Sequence, residues 1–139
     1  MFAPNTKFLI VDDFGTMRKI IKKMLTEIGL TNIVEAEDGK VALAKVQEAH
    51  QAGEPFGCII SDWNMPVMTG MELLKICKSD EKFKATPFIL VTAESEQSQI
   101  IEAVKTGVSD YVVKPFNANT FREKLLKTYN RHNQSAKAA

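Results

Sequence analysis

Three short apolar runs in this chain each stop at a charged residue, and that punctuation constrains the fold more than any other feature. Phe8-Leu9-Ile10-Val11 runs into Asp12-Asp13, Cys58-Ile59-Ile60-Ser61 into Asp62, and Tyr111-Val112-Val113 into Lys114. Apolar runs this short and continuous read as strands covered on both faces, the kind found in parallel sheets. Between them the apolar spacing becomes helical. Met17, Ile20, Ile21, Met24, Leu25 and Ile28 share one face, and Gly29 supplies a left-handed stop. A chain alternating strand and helix folds with right-handed crossovers, which bring the carboxyl ends of all strands to one edge. Asp12, Asp13, Asp62 and Lys114 are therefore expected to meet. Three crowded carboxylates repel one another and lose solvation, so the cluster requires a cation, and the pattern predicts a metal site beside a lysine.

The remaining elements fit the same scheme. Residues 32–37 read as a second strand, and Asp38 caps a helix carrying Val41, Ala42, Leu43 and Val46. Residues 48–55 form a polar loop containing His50, and 56–61 a third strand. A Pro66 and Gly70 loop precedes a helix with Met71, Leu73, Leu74, Ile76 and Cys77. Residues 88–91 make a fourth strand that ends at Thr92, 96–106 a helix stopped by Gly107, and 111–113 a fifth strand. A last helix spans about 118–130 and leaves a frayed tail over 135–139. The expected fold is α/β, a doubly wound five-stranded parallel sheet, in one domain over 1–139 with its core at about 7–130. Ligands of such sheets sit beyond the strands' carboxyl ends.

Composition narrows the function by exclusion. A net charge of +1, from 18 basic and 17 acidic side chains, gives no field that would draw nucleic acid. No apolar stretch reaches the roughly 20 residues of a membrane span, and the N-terminus lacks the order of a signal peptide. Cys58 and Cys77 lack metal-ligand spacing and read as reduced core thiols. A soluble cytoplasmic protein is expected from these features, and a monomer is expected as well. The basic stripe Arg18, Lys19, Lys22 and Lys23 reads as solvated surface that can also help dock an acidic partner.

At the predicted site, three negative charges and Lys114 sum to zero with one divalent cation. An all-oxygen set of few carboxylates with room for water suits Mg²⁺, which commonly shares a phosphate. Thr92 adds a hydroxyl donor, and backbone N–H groups after it can face the same point. Mg²⁺, an ammonium and a hydroxyl around a carboxylate are what phosphoryl transfer needs, and one carboxylate can be the nucleophile. Asp62, alone on its strand, is the candidate, while Asp12 and Asp13 hold metal. Taken singly, an Asp after a strand is most often a helix cap, Thr92 a strand former and Tyr111 a packed aromatic. Convergence is what separates the two interpretations.

Four runs in order, Phe8-Leu9-Ile10-Val11-Asp12-Asp13-Phe14, Ser61-Asp62-Trp63-Asn64-Met65-Pro66, Val91-Thr92-Ala93-Glu94 and Tyr111-Val112-Val113-Lys114-Pro115-Phe116, resemble the receiver domains of two-component response regulators. The resemblance spans roughly residues 7–130 and is strongest to the single-domain chemotaxis type. It implies the flavodoxin-like strand order 2-1-3-4-5, an order the family shares with other doubly wound folds. It further implies that Asp62 accepts a phosphoryl group from a histidine kinase. Asp13, Asp62 and the Asn64 carbonyl would ligate Mg²⁺, with Asp12 acting through water. Lys114, Thr92 and the Ala93 N–H would contact the phosphoryl oxygens. Tyr111 would swing inward as Thr92 moves, Asn64 and Glu94 side chains would tune hydrolysis, and Lys114-Pro115 would be cis. The implied output face is the fourth helix, fifth strand and fifth helix, with a flagellar motor switch protein as target and a phosphatase as a further partner. The chain would be a phosphoacceptor switch, not an enzyme acting on external substrates.

Some features depart from the family pattern. The loop over 47–55 reads as several residues longer than usual, the chain continues to Ala139, and Thr69 replaces an acidic residue before Gly70. Three rivals remain at this level: an aspartyl-phosphate phosphatase, a flavodoxin-like electron carrier, and a receiver that only binds. The first would need an Asp-x-Asp pattern and a cap domain. The second would need a Ser/Thr/Gly-rich phosphate loop where Asp12-Asp13 stands, and the third would show no Mg²⁺ affinity.

Overall fold

The structure is a computed structural model and describes residues 1–93 and 97–138. Five strands alternate with five helices: β1 (Phe8–Val11), α1 (Gly15–Glu27), β2 (Ile33–Ala36), α2 (Gly39–Gln51), β3 (Cys58–Asp62), α3 (Gly70–Ser79), β4 (Phe88–Thr92), α4 (Gln97–Thr106), β5 (Asp110–Val113) and α5 (Ala118–Ala138). All pairings are parallel, in the order β2-β1-β3-β4-β5. This is the flavodoxin-like arrangement. β1 and β3 occupy the middle, so Val11 pairs with Ser61 and the two acidic strand ends lie side by side.

Strand alternation divides the core into two layers. Leu9, Val11, Ile59, Phe88 and Leu90 face one side with Ala42, Val46, Leu73, Leu74 and Ala103, which belong to α2, α3 and α4. Phe8, Ile10, Cys58, Ile60, Ile89 and Val91 face the other with Ile21 and Leu25 of α1 and Phe121 and Leu125 of α5. With both faces covered, every residue of β1, β3 and β4 is buried, and the unbroken apolar runs follow from that.

The helix ends obey local chemistry. After α1, the Leu30 N–H donates to Leu25 O at 2.9 Å and the Gly29 N–H to Thr26 O at 3.0 Å, with Gly29 at φ +88°. That 6→1 and 5→2 pair is a Schellman motif, which needs a residue tolerant of positive φ. Asp38 caps α2 by accepting from the Val41 N–H at 2.8 Å. Thr69 forms a capping box with Glu72 at α3, so its replacement of an acid preserves the cap.

Several boundaries differ from the sequence reading. α2 continues to Gln51, because Ala49 packs into the core, so the segment expected as a loop from residue 48 is partly helix. His50 sits on that helix, edge-to-face with Phe83 at 5.6 Å. β3 starts at Cys58, since Phe56 and Gly57 lie outside the ladder, where the Gly57 N–H donates to Lys7 O at 2.7 Å. α5 runs to Ala138 where a frayed tail was expected. The expected helix start at residue 96 falls outside the described residues.

The far end of α5 is tied to the sheet. His132 Nε2 lies 2.7 Å from Ser109 Oγ, Ser109 Oγ accepts from the Phe88 N–H at 3.0 Å, and Arg131 donates to Ser109 O at 2.7 Å. The Ser109 hydroxyl thus links the Phe88 N–H of the sheet to the His132 ring of α5. Burial, then Lys78 and Arg131, push the His132 pKa below its ordinary value. The unfolded chain therefore binds this proton more readily, and the stability present above about pH 6.5 is lost as pH falls towards the lower folded value. The thermal midpoint, followed by circular dichroism, should decline between about pH 7.5 and about 5.5, and His132→Gln should flatten that decline. Identical slopes in parent and variant would remove His132 from the account.

Candidate metal centre

Asp12 directly follows β1, Asp13 follows Asp12, and Asp62 is the last residue of β3. Because β1 and β3 are neighbours in register, one oxygen from each of the three carboxylates lies within 4.8 Å of the other two. Lys114, just past β5, reaches over from the sheet edge. Its Nζ is 3.3 Å from Asp62 Oδ1 and 3.7 Å from Asp12 Oδ2. The charged strand ends converge as the apolar punctuation requires.

Asp12 is wholly buried and Asp62 nearly so. The Phe14 N–H donates to Asp12 Oδ1 and the Trp63 N–H to Asp62 Oδ1, both at 2.9 Å. The pKa of Asp12 is nonetheless raised, chiefly by desolvation and also by Asp13, against the lowering from Phe14 and Lys114. That of Asp62 is raised by desolvation and then by Asp12, with Lys114 opposing. One lysine thus under-compensates the cluster.

Two buried carboxylate oxygens, Asp12 Oδ2 and Asp13 Oδ1, have no hydrogen-bond partner. Buried acceptors left unpaired are costly, and a cation would satisfy both. The donor set is all oxygen and anionic, which fits a hard divalent metal and excludes a thiolate or imidazole site. These residues could hold a metal ion.

Thr92 is buried at the end of β4, paired with Val113 on β5 and one residue beyond Val91, the β4 partner of Asp62, and its carbonyl accepts from the Lys114 N–H at 2.6 Å. Ala93 is exposed and lines a shallow apolar pocket with Met17, Ile20, Lys114, Pro115 and Phe116. Asn64 is exposed two residues beyond Asp62. The Lys114-Pro115 bond is cis. Tyr111 is half-buried against the α2–α4 core, with Lys124 Nζ 4.9 Å from its ring centroid. Glu94 lies outside the described residues.

Two contributors escaped the sequence reading. Gly70, at the start of α3, lies against the backbone of Asp62 so closely that a Cβ there would sit 2.1 Å from Asp62 O. Arg18, assigned above to a solvated basic stripe, turns inward and donates from Nη1 to Asp12 O at 2.7 Å. Neither residue type announces such a role.

Comparison with known proteins agrees with this geometry. The family described as response regulator receiver domain matches residues 8–126. The chain is similar to the chemotaxis protein CheY of Pseudomonas aeruginosa, 48% identical over 127 residues that cover 91% of this chain and 98% of that one. Among solved structures it resembles Vibrio cholerae chemotaxis protein CheY4, with a TM-score of 0.74, 39% identity and coverage of 91% and 97%. It also resembles a CheY-like receiver domain protein of Methanospirillum hungatei, with a TM-score of 0.80 and coverage of 94% and 98%, where 24% identity speaks to the fold alone. An acidic cluster at the carboxyl edge of a 2-1-3-4-5 sheet, together with these matches, shows that the chain belongs to the response regulator receiver domain family, as a chemotaxis CheY-like member.

Proposed function

We propose that the chain is a cytoplasmic phosphorylation switch in which Asp62 accepts a phosphoryl group from a phosphohistidine on a sensor kinase. The observation that carries this reading is the convergence of three carboxylates within 4.8 Å, with Lys114 3.3 Å from Asp62. Mg²⁺ would be held by Asp12, Asp13, Asp62 and the Asn64 carbonyl, and when bound it supplies charge neutralisation to the phosphoryl oxygens. An Asp62 carboxylate oxygen forms a bond to phosphorus as the phosphorus–nitrogen bond breaks, and the bonding pair returns to the imidazole. Lys114, the Thr92 hydroxyl and the Ala93 N–H bind the transferred oxygens, so the chain's own work is positioning and electrostatics.

Hydrolysis of the acyl phosphate follows in the same pocket, with Asn64 and Glu94 setting how readily water enters. The chain catalyses these two steps on itself and turns over no external substrate. As Thr92 moves towards the phosphoryl group, Tyr111 moves inward, and the surface of α4, β5 and α5 changes its affinity for a target such as a flagellar motor switch protein. That surface suits a partner with both apolar and acidic groups, because Ile101 and Val104 are exposed on α4 and Val104 lies beside Lys124, Lys127 and Arg131. A phosphatase would act on the same acyl phosphate.

Trp63 is buried next to Asp62 and reports on the site directly. Its fluorescence should respond to Mg²⁺, then change again on addition of beryllofluoride, which mimics a phosphoryl group. A parent protein silent to millimolar Mg²⁺ would mean that the cluster binds no metal.

A further inference from the structure

Arg18 sits in the second turn of α1, on a stripe with Lys19, Lys22 and Lys23, yet only 22% of its side chain is exposed. Its guanidinium makes two directed contacts. Nη1 donates to Asp12 O at 2.7 Å, and Nε donates to Glu35 Oε1 of β2 at 3.1 Å. Glu35 is held in turn, with Lys22 Nζ 3.8 Å from its other oxygen and Lys45 of α2 donating to its carbonyl.

The contact to Asp12 closes a gap in the sheet. Along β1 the even residues bond towards β2, as in Phe8 N–H to Asn32 O and Asp12 N–H to Ala36 O. In a parallel ladder the rung after these would run from the residue 38 N–H to Asp12 O. β2 ends at Ala36 and the chain turns away to let Asp38 cap α2, so that donor is withdrawn. Asp12 O, just past β1, is thus the last acceptor on the side facing β2, and Arg18 takes the place of the missing rung. The same peptide joins Asp12 to Asp13, and the Asp12 side chain also receives the Phe14 N–H. Fixing this carbonyl therefore fixes the turn that aims both carboxylates into the cluster.

We propose that Arg18, oriented by Glu35, is a positioning residue for the metal centre: it replaces a β-ladder donor at Asp12 O and so sets the orientation of Asp12 and Asp13 towards the cation. This rests on the reading of the cluster as a Mg²⁺ site. The guanidinium acts through the backbone and touches neither phosphoryl group nor metal. Supporting groups of this kind typically change metal affinity about 10–100-fold when removed. A purely electrostatic role has the opposite sign, because removing a cation next to three carboxylates would tighten Mg²⁺ binding.

The test is Mg²⁺ titration by Trp63 fluorescence together with amide hydrogen exchange of Phe14 in metal-free protein, on the full chain. Arg18→Ala should weaken Mg²⁺ binding roughly tenfold and speed Phe14 exchange. Glu35→Gln keeps an acceptor for Nε and should stay within about twofold of the parent, whereas Glu35→Leu should weaken binding severalfold. Arg18→Lys keeps the charge but loses the fork and should behave like Arg18→Ala. Unchanged or tighter Mg²⁺ binding in Arg18→Ala, or unchanged Phe14 exchange, overturns the proposal. Should Arg18→Ala fail to fold, parent-like binding in Glu35→Leu overturns it equally. A parent that ignores Mg²⁺ would defeat the metal-site reading, and Phe14 exchange without metal would still decide whether Arg18 holds the turn.

Discussion

Asp62→Asn is expected to abolish phosphoryl uptake from a small-molecule donor while making the metal-free protein more stable. The first effect follows from chemistry, since an amide is no nucleophile towards phosphorus and the acyl phosphate has no other carboxylate on that strand. The second follows from the electrostatics of the empty cluster. The pKa of Asp62 is raised by burial first and by Asp12 second. A carboxyl with a raised folded pKa contributes stability only at low pH, and this contribution is lost as pH rises through the folded value, so ionised Asp62 is a cost at neutrality. Asparagine removes the charge and keeps an oxygen for the Trp63 N–H. Loss of the negative charge opposite Lys114, whose Nζ lies 3.3 Å from that same oxygen, offsets part of this gain. A net gain of about 1 kcal/mol would raise Tm by roughly 3–6 °C in a domain of this size. Mg²⁺ should erase the difference, because the parent gains more from the ion. Intact-mass spectrometry after donor treatment and thermal melts with and without Mg²⁺ measure both effects. A phosphorylated Asp62→Asn would move the acceptor elsewhere, and a lower metal-free Tm would mean that Lys114 outweighs the repulsion.

The architecture and the acidic cluster were legible in the sequence for a physical reason. Strands buried on both faces leave unbroken apolar runs, and the residue that ends such a run must be one the sheet edge can accommodate. Phe8–Val11 and Cys58–Asp62 therefore announced both the strands and the positions of Asp12 and Asp62. The convergence needed only the topology, and the strand order came from family resemblance. What stayed hidden depends on direction and distance. Arg18 falls on the polar side of α1 by periodicity, and no spacing reveals that β2 withdraws a donor one turn away. Residues 48–51 carry a loop-like composition, yet Ala49 finds a core contact that keeps α2 wound. The ammonium of Lys78 on α3 donates to Lys84 O and Thr86 O at 3.0 Å and is half-buried, which lowers its pKa through desolvation. In each case a partner outside the residue's own helix decides the outcome.

Gly70→Ala is the substitution expected to do the most damage per atom added. Gly70 opens α3 directly beneath the end of β3, and its N–H donates to Trp63 O at 2.9 Å. A Cβ at this position would lie 2.1 Å from Asp62 O and 3.0 Å from both the Asp62 carbonyl carbon and Leu90 Cδ2. The nearest obstacle is backbone in the central strand, which cannot rotate away as a side-chain tip can. Asp62 is also paired with Val91 of β4, so relief at α3 must come from shifting the helix or breaking the rung. Overpacking costs typically about 1–3 kcal/mol, and a backbone clash this close belongs at the upper end, on the order of 3 kcal/mol. That would lower a urea midpoint by roughly 1–3 M. The molecules that remain folded should carry a displaced Asp62 and bind Mg²⁺ at least about tenfold more weakly, since the misplaced group is one of the proposed ligands. Gly53→Ala is the control. A Cβ at Gly53 meets nothing within 4 Å, so only its φ of +75° penalises the change, by about 1 kcal/mol and without effect on the metal. Paired urea denaturation and Trp63 titration of the two variants separate strain from displacement. Equal unfolding midpoints for Gly70→Ala and the parent would show that α3 yields freely, and the close packing under Asp62 would then have no part in holding the site.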